Sequence, residues 1–443
     1  MKNTYKIGWL TAASLVISNM IGTGVFTSLG YQLLTVNNSF SIIALWLAGG
    51  MLALTGAFTF AELATHYKKS GGEYVYISKA IHPLLGYLSA WSSLIIGFSA
   101  PVAIAAIAME AYLKPFAANN NDAAIWFRAL SVALIIGICA AHSFTVKQSS
   151  KIQNIATAFK IFFVLAVIAL GIWLPTPNNN SLFWGGNVFK EVFSSGFAVS
   201  LLYVTYAYTG WNAATYIVEE IENPRLNLPK ALIAGTLFVT ITYIAIQLVL
   251  LKLAPPQTLK GNAEVAIIAF EAAKGAGFVK WISLGIAVQL IATMSSCIWV
   301  GSRVTYSMSK DYTLWKPINR ANAQQIPVVA IWLHGFIALI MLFSGKLEEI
   351  MLYSSFVMQL MSVVAIISFF FTKPIPDSFK SPLRPWLQIF YILLNICILL
   401  FVLIDKPKQS LMGLSILVLG VASFYLSKFL STRKKNSFTN ENF

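Results

Sequence analysis

The chain has 443 residues, of which 57% are hydrophobic and only 11% charged, with a mean hydropathy of +0.72. Soluble domains carry about 25% charged residues, so this composition excludes a soluble enzyme or binding module and marks an integral membrane protein. The net charge of +15 would suit nucleic acid, but the basic residues fall mainly in alternate loops, the positive-inside distribution of a polytopic chain.

A helix that crosses a bilayer needs about 20 apolar residues. On that measure about twelve spans are expected, near 8–31, 40–66, 83–113, 124–141, 152–174, 191–219, 229–252, 278–309, 327–344, 348–371, 386–404 and 409–429. With the N-terminus in the cytoplasm, the inner loops hold twenty Lys and Arg against ten outside, which places both termini on the cytoplasmic side. The first apolar run is too long for a cleavable signal and lacks a small-residue cleavage site, so it is expected to stay in the protein. Cys139, Cys297 and Cys397 all fall inside expected spans, where no outer-loop disulfide forms. The expected organisation is a single transmembrane domain over 1–430, followed by a disordered basic tail at 431–443. Polar loops are read at 118–122 (ANNND) and 176–180 (TPNNN), and the long outer loop Leu253–Lys280 has room for a short interfacial helix.

The first span carries the local anomaly. Its middle reads SNMIGTGVFTSLG, Ser18 to Gly30, and glycine weakens a helix by roughly 1 kcal/mol per residue. The sixth span has a counterpart, TYAYTGWNAATY, with Gly210 among hydroxyl and aromatic residues. Five spans separate the starts of the two helices, so the second copy enters the membrane in the opposite direction. Paired interruptions of this kind are the sequence mark of a transporter with its binding site at the bilayer midplane. The repeats are read as roughly 7–174 and 191–371, with two extra helices at 386–429.

A broken helix in a membrane frees backbone groups that are costly unless satisfied. The start of the second half-helix offers N–H donors and the positive end of a dipole, which suit a carboxylate. The end of the first half-helix offers carbonyls, which suit an ammonium. A zwitterionic amino acid supplies both. Thr23 and Gly24 are therefore read as carboxylate donors, with glycine allowing close approach. Carbonyls near Met20, Tyr206 and Thr209 are read as amine acceptors, and Ile21, Gly22 and Ala207 complete the expected binding set. Close helix packing is the alternative reading of Gly22 and Gly24.

Lys160, in KIQNIATAFKIFFVLAVI, lies roughly 12 Å deep at 1.5 Å per residue. It either snorkels to the cytoplasmic surface or serves a function inside the membrane, as an ammonium standing in for a bound sodium or as a proton carrier. Glu62 and Glu110 lie near span ends, and neither the first span nor the break of the sixth carries an acid. That favours neutral substrates, since a buried cation needs a partner. His66, His82, His142 and His334 have no metal-ligand spacing; the first three are read as interfacial and the last as packed or solvated. No phosphate loop or nucleophile triad is present, and no metal or cofactor is expected.

Taken together these stretches resemble the amino acid-polyamine-organocation superfamily, and most closely its L-type amino-acid transporter branch. IGTGVF resembles the first-span motif, where Ser usually stands at Thr23. AELATHYKKSGGEYVY is similar to the link between second and third spans, AYLKPF to the end of the third, and KIQNIATAFK to the fifth span with its lysine. YAYTGWN followed by EEIENPRLNLPKAL is similar to the sixth-span signature, and GSRVTYSMSKD and LYSSFVMQLMSVVAIISFFF to the eighth and tenth spans. The resemblance implies an all-α membrane protein of the five-plus-five inverted-repeat (LeuT-like) fold, with helices 1 and 6 broken. It implies Thr23 and Gly24 at carboxylate-binding positions, Met20, Tyr206 and Thr209 at amine-binding ones, Tyr206 as the aromatic gate, and Lys160 in the place of sodium.

Three departures follow. Thr209 stands where the branch usually has glycine, which narrows the pocket towards small side chains. Cys297 stands where a serine would help hold the lysine, with Ser295 and Ser296 as neighbouring candidates. The outer loop after Phe116 lacks the cysteine through which animal members join a heavy chain, so no disulfide-linked partner is expected. The expected function is sodium-independent transport of neutral L-amino acids across the cytoplasmic membrane, by alternating access and by exchange, with the first, second, sixth and seventh spans rocking. Its alternatives are proton symport through Lys160 and, more remotely, an amino-acid sensor that does not transport. The partners are a small-molecule amino acid and the lipid bilayer, with no nucleic acid.

Overall fold

The fold was analysed in a computed structural model, which describes residues 6–117, 122–144, 146–176, 188–324, 326–344, 346–373, 376 and 378–440. The polar loops expected at 118–122 and 176–180 lie mostly outside these residues. Among the described residues the molecule is helical throughout, and helices occur at all twelve expected places. Ten of them are long and apolar enough to cross a membrane. The ninth, Val328–Ser344, is a shorter apolar helix of 17 residues, and the sixth is divided.

Local chemistry sets the helix ends. The second span, Ser39–Tyr67, starts where the Asn38 side chain accepts from Phe40 N at 2.7 Å and stops at Lys68 in the left-handed region. The third starts at Pro83 and the seventh at Pro224, first-turn positions where the missing N–H costs nothing. The seventh begins five residues before the expected 229 because its helix includes Pro229 near its start, in the segment read as loop. The sixth opens at Ser195, where the Ser194 hydroxyl accepts from Phe197 N at 3.1 Å. Between the seventh and eighth spans the outer loop folds into two short helices, Pro256–Leu259 and Val265–Lys274. The last helix runs from Pro407 to Asn440, past the point at which the sequence reading starts its disordered tail.

Burial divides the spans into two groups. The first, third, eighth and tenth are 72–83% buried over their apolar windows, whereas the fourth, fifth, eleventh and twelfth are 22–33% buried. The former make the core around the two breaks; the latter present apolar faces to lipid. The third span carries a π-helical turn, Ser93–Ser99, between Pro83–Ser92 and Ala100–Leu113. Such turns commonly occur at functional sites, and this one places Gly97 and Phe98 on the central cavity.

Charges near span ends are neutralised within the fold. Glu62 accepts from Arg384 Nη1 at 2.8 Å and from the backbone N–H and hydroxyl of Ser381 at 2.8 and 2.6 Å. Glu110 receives Arg128 through Nε and Nη2 at 2.7 and 2.9 Å. On the side that the charge distribution assigns to the cytoplasm, Ile7 pairs with the loop after the sixth span, its N–H to Glu220 O at 2.9 Å and its carbonyl to Glu222 N at 2.9 Å. His142 was expected at an interface, but it is 2% exposed. Its Nε2 lies 2.8 Å from Ser295 Oγ and its ring stacks parallel to Trp299. His334 is packed, with Ser99 and Thr305 hydroxyls 2.9 Å from its two ring nitrogens.

Candidate functional site

Both predicted interruptions are real breaks. The first span is an α-helix over Trp9–Met20, loses helical geometry at Ile21–Thr23, and resumes over Gly24–Gln32. The sixth ends as an α-helix at Tyr208 and passes through Gly210 at φ +106°, where a Cβ would stand 2.8 Å from Asn19 Cβ. It continues as a 3-10 helix over Ala213–Glu220. Only glycine fits that turn, because the backbone is left-handed and the first span lies against it.

The breaks face one central cavity. Met20, Gly22, Thr23 and Gly24 line it from the first span, and Tyr206, Ala207 and Thr209 from the sixth. Ile21 does not: it is fully buried, and its carbonyl turns towards Lys160. Among the described residues the N–H groups of Gly22 and Thr23 donate to no protein atom, while Thr23 O already accepts from Phe26 N and Thr27 N. The first turn of the second half-helix therefore presents unused donors, as a helix start must.

The carbonyl side is more occupied than expected. Tyr243 of the seventh span donates its hydroxyl to Met20 O at 2.5 Å and lies 2.9 Å from Ala207 O, bridging the two breaks. Tyr206 O accepts from Thr209 N at 3.0 Å. Each carbonyl keeps a second lone pair, so Met20 and Tyr206 retain one acceptor site apiece rather than two. The Tyr206 side chain is 9% exposed on the cavity. Gly24 is also a packing position, since a Cβ there would come within 2.6 Å of Ala207 Cα and Cβ. At Gly22 the nearest neighbour would be Thr293 Cγ2 at 3.4 Å. Packing thus accounts for one glycine and the break for the other.

Lys160 does not snorkel. It is fully buried, and its Nζ donates to Ser18 O at 2.9 Å, to Ile21 O at 2.6 Å and to Thr293 Oγ1 at 3.0 Å. The partners expected on the eighth span are corrected by this geometry. Thr293, which the sequence reading missed, faces the lysine. Ser295 binds His142 instead, and the Ser296 hydroxyl is buried with no hydrogen bond. Cys297 is one helical turn beyond Thr293 and shares its face; both line the cavity. Among the described residues, the oxygens on Lys160 are all neutral.

Several lining residues escaped the sequence reading: Phe98 and Pro101 from the third span, Asn212 and Tyr216 beyond the sixth-span break, and Ser355, Met358 and Gln359 from the tenth. Nothing in local sequence marks a π-turn, so Phe98 carried no signal. Asn212 and Tyr216 sit in the quoted sixth-span motif and could have been found there. Beneath them lies Glu73, from the connection between second and third spans, 3% exposed and receiving a hydrogen bond from Asn212 Nδ2. Burial pushes its carboxyl above the usual carboxylate range, against the pull of its own backbone N–H, Tyr216 and Asn212.

Comparison with known proteins agrees with this architecture. Residues 7–425 match the sequence model of the family described as amino acid permease. The chain is similar to the b(0,+)-type amino acid transporter 1 of Mus musculus, 28% identical over 429 residues that cover 95% of this chain and 87% of the relative. The human cystine/glutamate transporter is 26% identical over 428 residues, covering 95% and 85%. The Asc-type amino acid transporter 1 of Mus musculus is 26% identical over 445 residues, covering 97% and 82%. With two broken helices facing one cavity and a match along nearly its whole length, the chain belongs to the amino acid permease family, whose members are membrane transporters and not enzymes.

Proposed function

We propose that the protein carries neutral L-amino acids across the cytoplasmic membrane by alternating access, without sodium and by exchange, with both termini in the cytoplasm. The observation that carries the reading is Lys160. Its ammonium hydrogens occupy Ser18 O, Ile21 O and Thr293 Oγ1, the kind of oxygen cage that a small cation would otherwise fill, and so hold the broken helix open. The donors left at Gly22, Thr23 and Gly24 then receive the substrate carboxylate, and the remaining lone pairs of Met20 and Tyr206 its amine. Tyr206, on the cavity wall opposite the first-span break, closes over the bound molecule. An even number of spans supports termini on one side. Cys139 and Cys297 are buried, and Cys397 is exposed on the eleventh helix, which supports action without a disulfide-linked partner.

Uptake of a labelled mixture of neutral L-amino acids into liposomes holding the purified protein tests the reading. Sodium-free uptake that depends on unlabelled amino acids inside is the expected result. Dependence on sodium would overturn the role given to Lys160. Uptake into empty vesicles that rises with an inward proton gradient would make Lys160, with its neutral partners, a proton carrier. Binding without uptake under any gradient would identify a sensor.

A further inference from the structure

The motif SGGEYVY brings one acid to the centre of the molecule. Glu73 opens the short helix Glu73–Ala80 after Gly72, whose φ is +56° and whose Cβ would stand 2.4 Å from the Tyr216 ring. The carboxyl is thereby pressed against the half-helix beyond the sixth-span break. The acid-free spans that favoured neutral substrates in the sequence are therefore not the whole of the cavity's electrostatics.

Its principal neighbour is Asn212, which lines the cavity and is 7% exposed. The Asn212 amide nitrogen donates both to Glu73 Oε1 and to the Tyr216 hydroxyl, the latter at 3.1 Å. An amide has two N–H donors and one acceptor oxygen, so both donors are spent. Among the described residues nothing donates to Oδ1. An unprotonated carboxyl oxygen can meet this amide only through its nitrogen side. Among the described residues Glu73 makes no ion pair.

We infer that Glu73 is a positioning residue for the cavity floor: it holds the Asn212 amide by its nitrogen and turns the oxygen to the substrate. The floor then accepts a hydrogen bond from an ammonium, hydroxyl or amide on the substrate and repels a side-chain carboxylate. The inference rests on the reading of this cavity as an amino acid site, and it adds a selection against acidic amino acids.

The test is equilibrium binding of L-alanine, L-serine, L-lysine and L-glutamate to the purified full chain in nanodiscs, with liposome uptake measured in parallel. The wild type should bind at least one of the first three and bind L-glutamate at least about tenfold more weakly, the scale of one charged hydrogen bond lost. Glu73→Met, which keeps the volume and removes the acceptor, should weaken the preferred ligand by about tenfold and narrow the gap to L-glutamate. Asn212→Leu should show the same loss, and the double variant no further loss, because the two residues act as one unit. The exchanged pair, Glu73→Gln with Asn212→Asp, restores a donor beneath and an acceptor above, and should bind the preferred ligand within about threefold of wild type. If Glu73→Met does not fold, the exchanged pair decides by itself. Unchanged affinity in a folded Glu73→Met, a preference of the wild type for L-glutamate, or an exchanged pair no better than Asn212→Leu would each overturn the inference. Binding without uptake would instead overturn the transport reading while leaving the role of Glu73 in force.

Discussion

The two broken helices meet at one cavity but are held by opposite chemistry. At the first break an amine from the fifth span, Lys160, takes up one carbonyl near the end of the first half-helix and one within the interruption. What remains facing the cavity is N–H. At the sixth break a carboxyl at the start of a short helix, Glu73, takes up one amide hydrogen of Asn212 and the Tyr216 hydroxyl the other, which leaves the amide oxygen. On the reading proposed above, each buried group consumes the polarity it matches and leaves its complement, so that the two half-helices offer donors on one side and acceptors on the other. Tyr243 links the two through Met20 O and Ala207 O. A zwitterion is the small molecule that such a pair of surfaces fits.

Removing the amine breaks the comparison most severely. Lys160→Ala removes a buried charged donor from Ser18 O and Ile21 O, hydrogen bonds worth about 1–3 kcal/mol each, and uptake by reconstituted protein should fall by a factor of about ten to a hundred. Unchanged uptake would remove Lys160 from the mechanism. Gly24→Ala comes next: its methyl would lie 2.6 Å from Ala207, and overpacking of this kind costs about 1–3 kcal/mol. A lower melting temperature and several-fold slower uptake are expected. Gly22→Ala is its control, since the nearest atom would be at an ordinary 3.4 Å; melting within about 0.5 kcal/mol of wild type is expected, and a loss as large as that of Gly24→Ala would show that both glycines are there for packing.

Tyr243→Phe cuts the tie between the breaks while keeping the ring. A loss of about 1–2 kcal/mol in stability with a change in both affinity and turnover is expected, and a change in affinity alone would mean that the breaks move independently. The smallest effect belongs to Thr293→Val, which removes one of three Lys160 partners and is isosteric. Uptake reduced by less than about fivefold, measured beside Lys160→Ala, would rank the first-span carbonyls above the eighth-span hydroxyl as the lysine's main support.

Much of the fold is readable locally. A run of about 20 apolar residues has one stable outcome in a bilayer, because every backbone group must be satisfied within the helix; a helix stands at each of the twelve expected places, most within a few residues of the expected limits, while the last runs on to Asn440. The ends slipped where a Pro or a cap, rather than hydropathy, set the boundary, as at Pro224. The breaks were legible for the same reason: glycine and hydroxyl residues at Gly22–Gly24 and Thr209–Gly210 stand out against apolar neighbours. The intramembrane position of Lys160 was legible from its depth in the fifth span.

What the residues touch was not. Lys160 meets Ser18 across 142 positions of sequence, and Asn212 meets Glu73 across 139. Thr293 and Ser295 are two residues apart, yet one faces the lysine and the other His142, a difference of helix rotation that composition does not carry. Glu73 looks like a loop acid until the fold presses it beneath Asn212. The sequence by itself determined where the chain crosses the membrane and where it must break, since both follow from local hydropathy and helix propensity. Only the tertiary structure decided which buried group satisfies which, because in a low-dielectric core that choice depends on the packing of helices distant in sequence.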